Sequence, residues 1–214
     1  MQTCGGGGGG SYSSDEDGPA CAGGGGSSAA PPGAPGGDGA LAGGLLAELR
    51  SWARYLLPGR YKAVYYPTPH PIAAAMLRLA RVGPDDVVYD LGCGDGRIVI
   101  AAAQQMGAKR CVGIELDPRL AAAARRAVAA AGLDAAGRVA IVEGDAAAAD
   151  LSDASVVALY LSDAGNRDLL AAVGPSLRRG ARVVSLYFPV AGWEASLAAH
   201  DTSAGIDIYL YSAP

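Results

Sequence analysis

From residue 87 onward, short apolar runs alternate with longer helical stretches along the chain. The runs at 87–90, 111–115, 139–142, 156–161 and 182–187 have the length and apolar character of strands buried on both faces. The stretches 96–106, 117–132 and 163–177 fall between them as helices. Asp117-Pro118 starts the second of these, Gly132 supplies its left-handed stop, and Gly180 lies past the end of the third. Residues 206–211 form one more clear strand. The material around them is too short for another strand–helix repeat and suits a terminal β-hairpin. This alternation predicts an α/β fold built on a doubly wound, mostly parallel seven-stranded sheet.

Upstream, Leu45, Leu49, Trp52 and Leu56 form a helical stripe that Pro58-Gly59 ends. Its first reading is a helix docked on the domain; a membrane-surface or partner helix is the alternative. Tyr65-Tyr66-Pro67-Thr68-Pro69-His70-Pro71 follows, and its prolines enforce an extended path. Thr68 is placed to cap the next helix, with Pro69 at its first position. Ile72, Met76 and Leu79 continue as a core stripe up to Gly83-Pro84. Residues 41–70 thus read as an amphipathic helix and a proline-rich lid segment, the only spare material for recognising a substrate.

Composition separates a tail from this domain. The first 49 residues have no Lys or Arg, five acidic side chains and 17 of the 32 glycines. Such a segment has too little apolar area to offset its ordering entropy, so residues 1–40 are expected to be disordered and 41–214 to be one domain. Residues 50–214 carry a side-chain charge of +1 and no basic stripe, which argues against a nucleic-acid partner. Cys4, Cys21, Cys93 and Cys111 lack zinc-ligand spacing, so free thiols in a reducing compartment and no metal site are expected. No apolar run reaches the ~20 residues of a membrane span. The first basic residue is Arg50, so no arginine-rich transit peptide is evident and a cytoplasmic setting is expected, with a mitochondrial one as the alternative.

The chemistry concentrates in Asp90-Leu91-Gly92-Cys93-Gly94-Asp95-Gly96-Arg97, between a predicted strand and a predicted helix. A glycine-rich turn there lets a ligand lie against bare backbone. A dinucleotide fingerprint starting at Gly92 needs a glycine where Arg97 stands. Asp90 and Asp95 would also repel a pyrophosphate at close range. S-adenosylmethionine (SAM) has no phosphate and carries a sulfonium and an ammonium, so acidic neighbours suit it. Glu115 ends the second strand, where a carboxylate accepts both ribose hydroxyls. Asp145, followed by Ala146 after the third strand, is placed to accept from the adenine amine.

Asp90 to Gly96 resembles motif I of class I SAM methyltransferases, which have a Rossmann-like fold, and Gly113-Ile114-Glu115-Leu116-Asp117 resembles its continuation. Tyr66-Pro67-Thr68-Pro69, Met76-Leu77 and the run from Asp90 to Ala103 are similar to a protein-lysine methyltransferase family. Members of that family modify the ATP synthase c-subunit and the adenine nucleotide translocase. The resemblance covers about 64–193. It implies that Thr68 walls the SAM pocket, that Gly92 and Gly94 meet the methionine part, Glu115 the ribose and Asp145 the adenine. The loop Tyr160-Leu161-Ser162 would face the methyl group. It also implies a protein substrate with an accessible lysine. A short amphipathic stretch stands where the mitochondrial members carry a membrane-anchoring segment.

Methyl transfer needs in-line alignment more than a base, and burial against apolar walls lowers a lysine pKa. His70 and His200 are the only histidines, and neither sits at the motif. Tyr65, Tyr66, Tyr160 and Tyr187 supply aromatic groups for an amine channel, with Tyr66 and Tyr160 the first candidates. Leu161-Ser162-Asp163 lacks both the Pro-Pro-aromatic turn of nucleobase amino methyltransferases and the cysteine of cytosine-C5 chemistry. Methylation of a small molecule or another protein side chain, and a non-catalytic SAM-binding module, are the competing readings.

Overall fold

The computed structural model describes residues 65–214. The tail expected at 1–40 and the amphipathic stretch at 45–57 lie outside the described residues. Seven strands, β1 (Val87–Leu91), β2 (Arg110–Glu115), β3 (Val139–Glu143), β4 (Val156–Leu159), β5 (Arg182–Leu186), β6 (Leu197–Ser203) and β7 (Ile206–Ser212), form one sheet in the order β3-β2-β1-β4-β5-β7-β6. The first five are parallel; β7 runs antiparallel to β5 and closes a hairpin with β6. The chain winds outward from β1 to β3 and then returns to β4 on the other side of β1. Such a reversal leaves a crevice at the carboxyl ends of β1 and β4, where open α/β sheets bind ligands.

Consecutive strand residues feed opposite faces, which is why the strands read as unbroken apolar runs. Val88, Val156 and Val184 pack under α1 (His70–Leu79), α2 (Arg97–Gln104) and α3 (Pro118–Ala130), against Met76, Leu77, Val99 and Val128. Their neighbours Tyr89, Val157 and Val183 pack on the other face, against Leu169, Leu170 and Val173 of α4 (Asp163–Val173). No described helix is long and apolar enough to cross a membrane.

Several boundaries differ from the expected ones. Thr68 does not cap α1: Pro69 holds the N-cap position without a side-chain bond, and its carbonyl accepts from Ile72 N and Ala73 N. The Thr68 side chain is buried and its carbonyl is taken by Arg97, so neither group faces the helix end. Strand β4 stops at Leu159, and Ser162 Oγ instead caps α4 through Gly165 N at 3.0 Å. Helix α4 ends at Val173 rather than 177, because Pro175 has no N–H to extend it; a 3-10 turn, Gly174–Ser176, follows.

Gly113, in the middle of β2, marks a close approach. A Cβ placed there would lie 2.7 Å from Cys93 Sγ and 2.9 Å from Ile141 Cδ1. Gly113→Ala is therefore expected to push on the glycine loop through Cys93 and to destabilise the domain by about 1–3 kcal/mol, the usual range for overpacking. Thermal unfolding checks this: a melting temperature equal to wild type would show that the loop yields freely.

Candidate active site

The crevice at the β1–β4 reversal is a cleft of about 950 Å³, counting space open to solvent. Its floor is the loop between β1 and α2. Gly92 N and Cys93 N both donate to Ile114 O, at 2.8 and 3.0 Å, which ties the loop to the end of β2. Gly94 turns with φ 56°, and a Cβ on it would run into the Tyr65 ring. The positive φ favours a bare backbone there, and any side chain would have to displace the Tyr65 ring. Cys93 is buried beneath the loop, and burial followed by the neighbouring Asp90 pushes its thiol far up, so it stays protonated and unreactive. Burial likewise pushes Cys111 up to about 12.

Three carboxylates face this loop, and each is held differently. Glu115 is buried; its Oε2 accepts from Gly94 N and its Oε1 from Asp117 N, both at 2.8 Å. Asp95 is paired with Arg97 at 2.5 Å. Burial alone would raise the Asp95 carboxyl, but the Arg97 guanidinium outweighs it and holds the group below the ordinary carboxylate range. Asp90 is buried at the end of β1, and its Oδ2 has no hydrogen-bond partner among the described residues. Burial, then Glu115, then Asp95 push its carboxyl up to about 8.

The structure brings Thr68, Asp90, Gly92, Gly94, Glu115, Asp145, Ala146, Tyr66 and Tyr160 together on the walls of this one cleft. Asp145 follows β3, lines the cleft and is exposed; its Oδ1 accepts from Ala147 N at 2.9 Å. Tyr66 is 59 % exposed at the rim. Burial raises the Tyr160 phenol, with Tyr66 and then Tyr187 adding to the shift. Tyr187 is not on the cleft wall itself. His70 lies exposed at the start of α1, and His200 lies on the hairpin with Nε2 3.0 Å from Asp207 Oδ1, so neither enters the cleft. No group of residues suited to a metal ion occurs among the described residues.

Sequence reasoning missed the latch that closes the front wall. Arg97 Nη1 donates to Thr68 O at 2.9 Å while its Nη2 holds Asp95, so one guanidinium joins the proline-rich segment to the glycine loop. The visible signal was an acid two residues before an arginine at the start of a helix. The same finding removes Asp95 from the groups available to a cationic ligand and leaves Asp90. Leu120, beyond the motif that ends at Asp117, adds apolar surface that no motif indicated, next to Leu116 within the motif.

Residues 90–197 match the family model of the ANTKMT methyltransferase domain. The chain is 38 % identical over 149 residues to a protein-lysine N-methyltransferase of Saccharolobus islandicus, covering 69 % of this chain and 91 % of that one. It is 37 % identical over 161 residues to the adenine nucleotide translocase lysine N-methyltransferase of Mus musculus, covering 72 % of this chain and 69 % of that one. Among solved structures, it is similar to a Salinibacter ruber protein named as an RNA methyltransferase, in complex with S-adenosyl-L-homocysteine. The identity is 42 %, the TM-score 0.65, and the coverage 70 % of this chain and 94 % of that one.

Proposed function

We propose that this chain, which belongs to the ANTKMT methyltransferase family, uses its SAM site to methylate lysine side chains of a protein. The observation that carries the reading is the buried, unpartnered Oδ2 of Asp90 in a cleft whose only lining cation among the described residues, Arg97, is already committed to Asp95 and to Thr68 O. A buried acceptor of this kind calls for a cationic ligand. The free lone pairs of Glu115 suit a ribose diol, Asp145 and Ala146 the adenine edge, Gly92 and Gly94 the methionine backbone, and Thr68 the front wall. SAM supplies an electrophilic methyl group on a sulfonium.

The chain's own residues have then to deliver a neutral amine in line with that methyl. The absence of histidine from the cleft walls fits an acceptor that sheds its proton to water on entering an aromatic channel. Tyr66 and Tyr160 stand where such a channel opens. The names of the relatives support lysine as the acceptor. RNA fits less well, because residues 65–214 carry a side-chain charge of −3.

The deciding experiment incubates lysate from cells lacking this protein with pure enzyme and labelled SAM, and identifies the labelled molecules by mass spectrometry. Methyl groups on lysine are expected. Methyl groups only on RNA, on carboxylates or hydroxyls, or on a small metabolite would overturn the lysine assignment. Two variants separate cofactor from acceptor. Thr68→Ala is expected to raise the SAM requirement by about 3-fold, the size of one lost hydrogen bond. Tyr66→Ala is expected to lower turnover by about 10-fold with SAM affinity nearly unchanged, because it disturbs acceptor alignment. A loss of SAM affinity in Tyr66→Ala equal to its loss of turnover would place that ring on the cofactor instead.

A further inference from the structure

At the carboxyl end of β5 the backbone makes a tight turn. Phe188 N donates to Leu186 O at 2.8 Å across Tyr187, whose φ is 68°. This is a three-residue γ-turn in its positive-φ form, the rare and strained one. Glycine adopts such a φ freely, whereas a bulky aromatic seldom does.

Three hydrogen bonds hold the strained turn in place. Tyr187 N donates to Asp207 O, at the start of β7, at 2.8 Å. Ser185 Oγ donates to Phe188 O at 2.6 Å, and Asn166 Nδ2 on α4 donates to Ser185 Oγ at 3.0 Å. Ser185 and Asn166 are fully buried. The core therefore commits a polar clamp to a turn that a glycine would make without help.

The turn does not serve burial, for the Tyr187 ring is 57 % exposed. Phe188 meets it edge-on at 4.9 Å between ring centroids. Leu159 of β4 pairs with Ser185 of β5, so Tyr160 and Tyr187 emerge at the carboxyl ends of neighbouring strands. Burial raises the Tyr160 phenol first, and the phenols of Tyr66 and Tyr187 add to the shift. A strained backbone that carries a large side chain in the open, at the end of the strand next to the one that delivers Tyr160 to the cleft, is the pattern seen where strain serves a site.

Resting on the lysine reading above, we propose that Tyr187 is an acceptor-positioning residue: the clamped γ-turn holds its ring outside the cleft that Tyr66 and Tyr160 line, as an outer surface against which the aliphatic stem of the incoming lysine lies. A flat ring accepts a long, unbranched stem and attracts the ammonium head before it loses its proton. The geometry thus selects a flexible cationic side chain over a compact or anionic acceptor.

The test uses the full chain with Tyr187→Gly and Tyr187→Phe. Label from SAM is followed into the proteins of a lysate lacking the enzyme, as a function of lysate protein concentration. Calorimetry with SAM and thermal unfolding run in parallel. Tyr187→Gly is expected to raise the half-saturating lysate concentration about 10-fold or more while SAM affinity stays within about 2-fold. Its melting temperature should not fall, because glycine relaxes the turn. Tyr187→Phe keeps the ring and should recover most of the loss. Wild-type half-saturation in Tyr187→Gly overturns the inference. So does a fall in its SAM affinity or melting temperature to match the loss, since the turn would then be structural. Acid hydrolysis of the labelled protein separates the two ideas: methyl on a residue other than lysine overturns the lysine reading, while the Tyr187 shift is still measured. A wild-type enzyme that labels nothing overturns both.

Discussion

Glu115→Ala is expected to weaken SAM binding by about 1–3 kcal/mol and, in the same molecule, to lower the stability of the domain by about 2–4 kcal/mol. The two effects have one cause. Each carboxylate oxygen of Glu115 already accepts a backbone N–H at 2.8 Å, from Gly94 on one side and Asp117 on the other. Removing the carboxylate strands two donors at a buried site, each at the cost of an unmade hydrogen bond. One donor belongs to the glycine loop and the other to the residue that caps α3, so the floor of the cleft loosens at both ends. Each oxygen keeps a second lone pair, and that pair is free for a ribose hydroxyl. Glu115→Gln makes the case sharper. Its amide nitrogen must face one of the two backbone N–H groups, donor against donor, so it should cost nearly as much stability as alanine. A carboxylate serving the ribose alone would tolerate glutamine well. Thermal unfolding and calorimetry on both variants decide: an unchanged melting temperature in Glu115→Ala would mean that the loop does not depend on this side chain.

That double role shows where the sequence stopped being informative. The carboxylate at the end of the second strand was legible, because strand periodicity and the glycine loop place it. Its two backbone partners were not, because Gly94 lies 21 residues away and spacing says nothing about which N–H an oxygen meets. Strands β1, β2, β4 and β5 were legible because both faces of the sheet are buried there, so that an apolar run is all a strand needs to show. Strand β3, at the edge, shows the same apolar run although most of it is exposed. The Arg97 latch spans 29 residues to Thr68, and only the folded chain reveals it. Thr68 read as a helix cap from local preference, and tertiary contacts overrode it. The γ-turn at Tyr187 was hidden for a similar reason: it depends on a carbonyl from the hairpin and a buried asparagine from α4, and local sequence argues against it. Backbone dictated by distant partners escapes a reading built on neighbours.

Asp90 leads to the other large effect, a pH-dependent affinity for SAM. In the ligand-free protein, burial first, and then Glu115 and Asp95, push the Asp90 carboxyl up to about 8, so at neutral pH it is mostly protonated. A cationic ligand beside it favours the carboxylate and lowers its pKa in the complex. Binding near pH 7 therefore releases a proton, and affinity should rise with pH by up to about 10-fold per unit before levelling near 8. Above that, the ligand's own α-amine, with a reference pKa of about 7.7–8.0, loses its charge and the curve turns down. Asp90→Asn removes the rising limb and should weaken binding at pH 8 by about 10- to 100-fold, the size of a lost charge-assisted contact. Stability runs the opposite way. The folded pKa lies above the unfolded value of about 3.9, so the contribution of the protonated group is fully present below that value and is lost as pH rises through the folded pKa. The ligand-free protein should thus melt at progressively lower temperature toward pH 8, and SAM should stabilise it most there. Asp90→Asn should melt higher than wild type at pH 8 without ligand and gain less from SAM. Calorimetry from pH 6 to 9 in buffers of different ionisation enthalpy counts the released proton directly. A flat wild-type affinity between pH 6 and 8, with no proton released, would show that Asp90 is ionised before the ligand arrives.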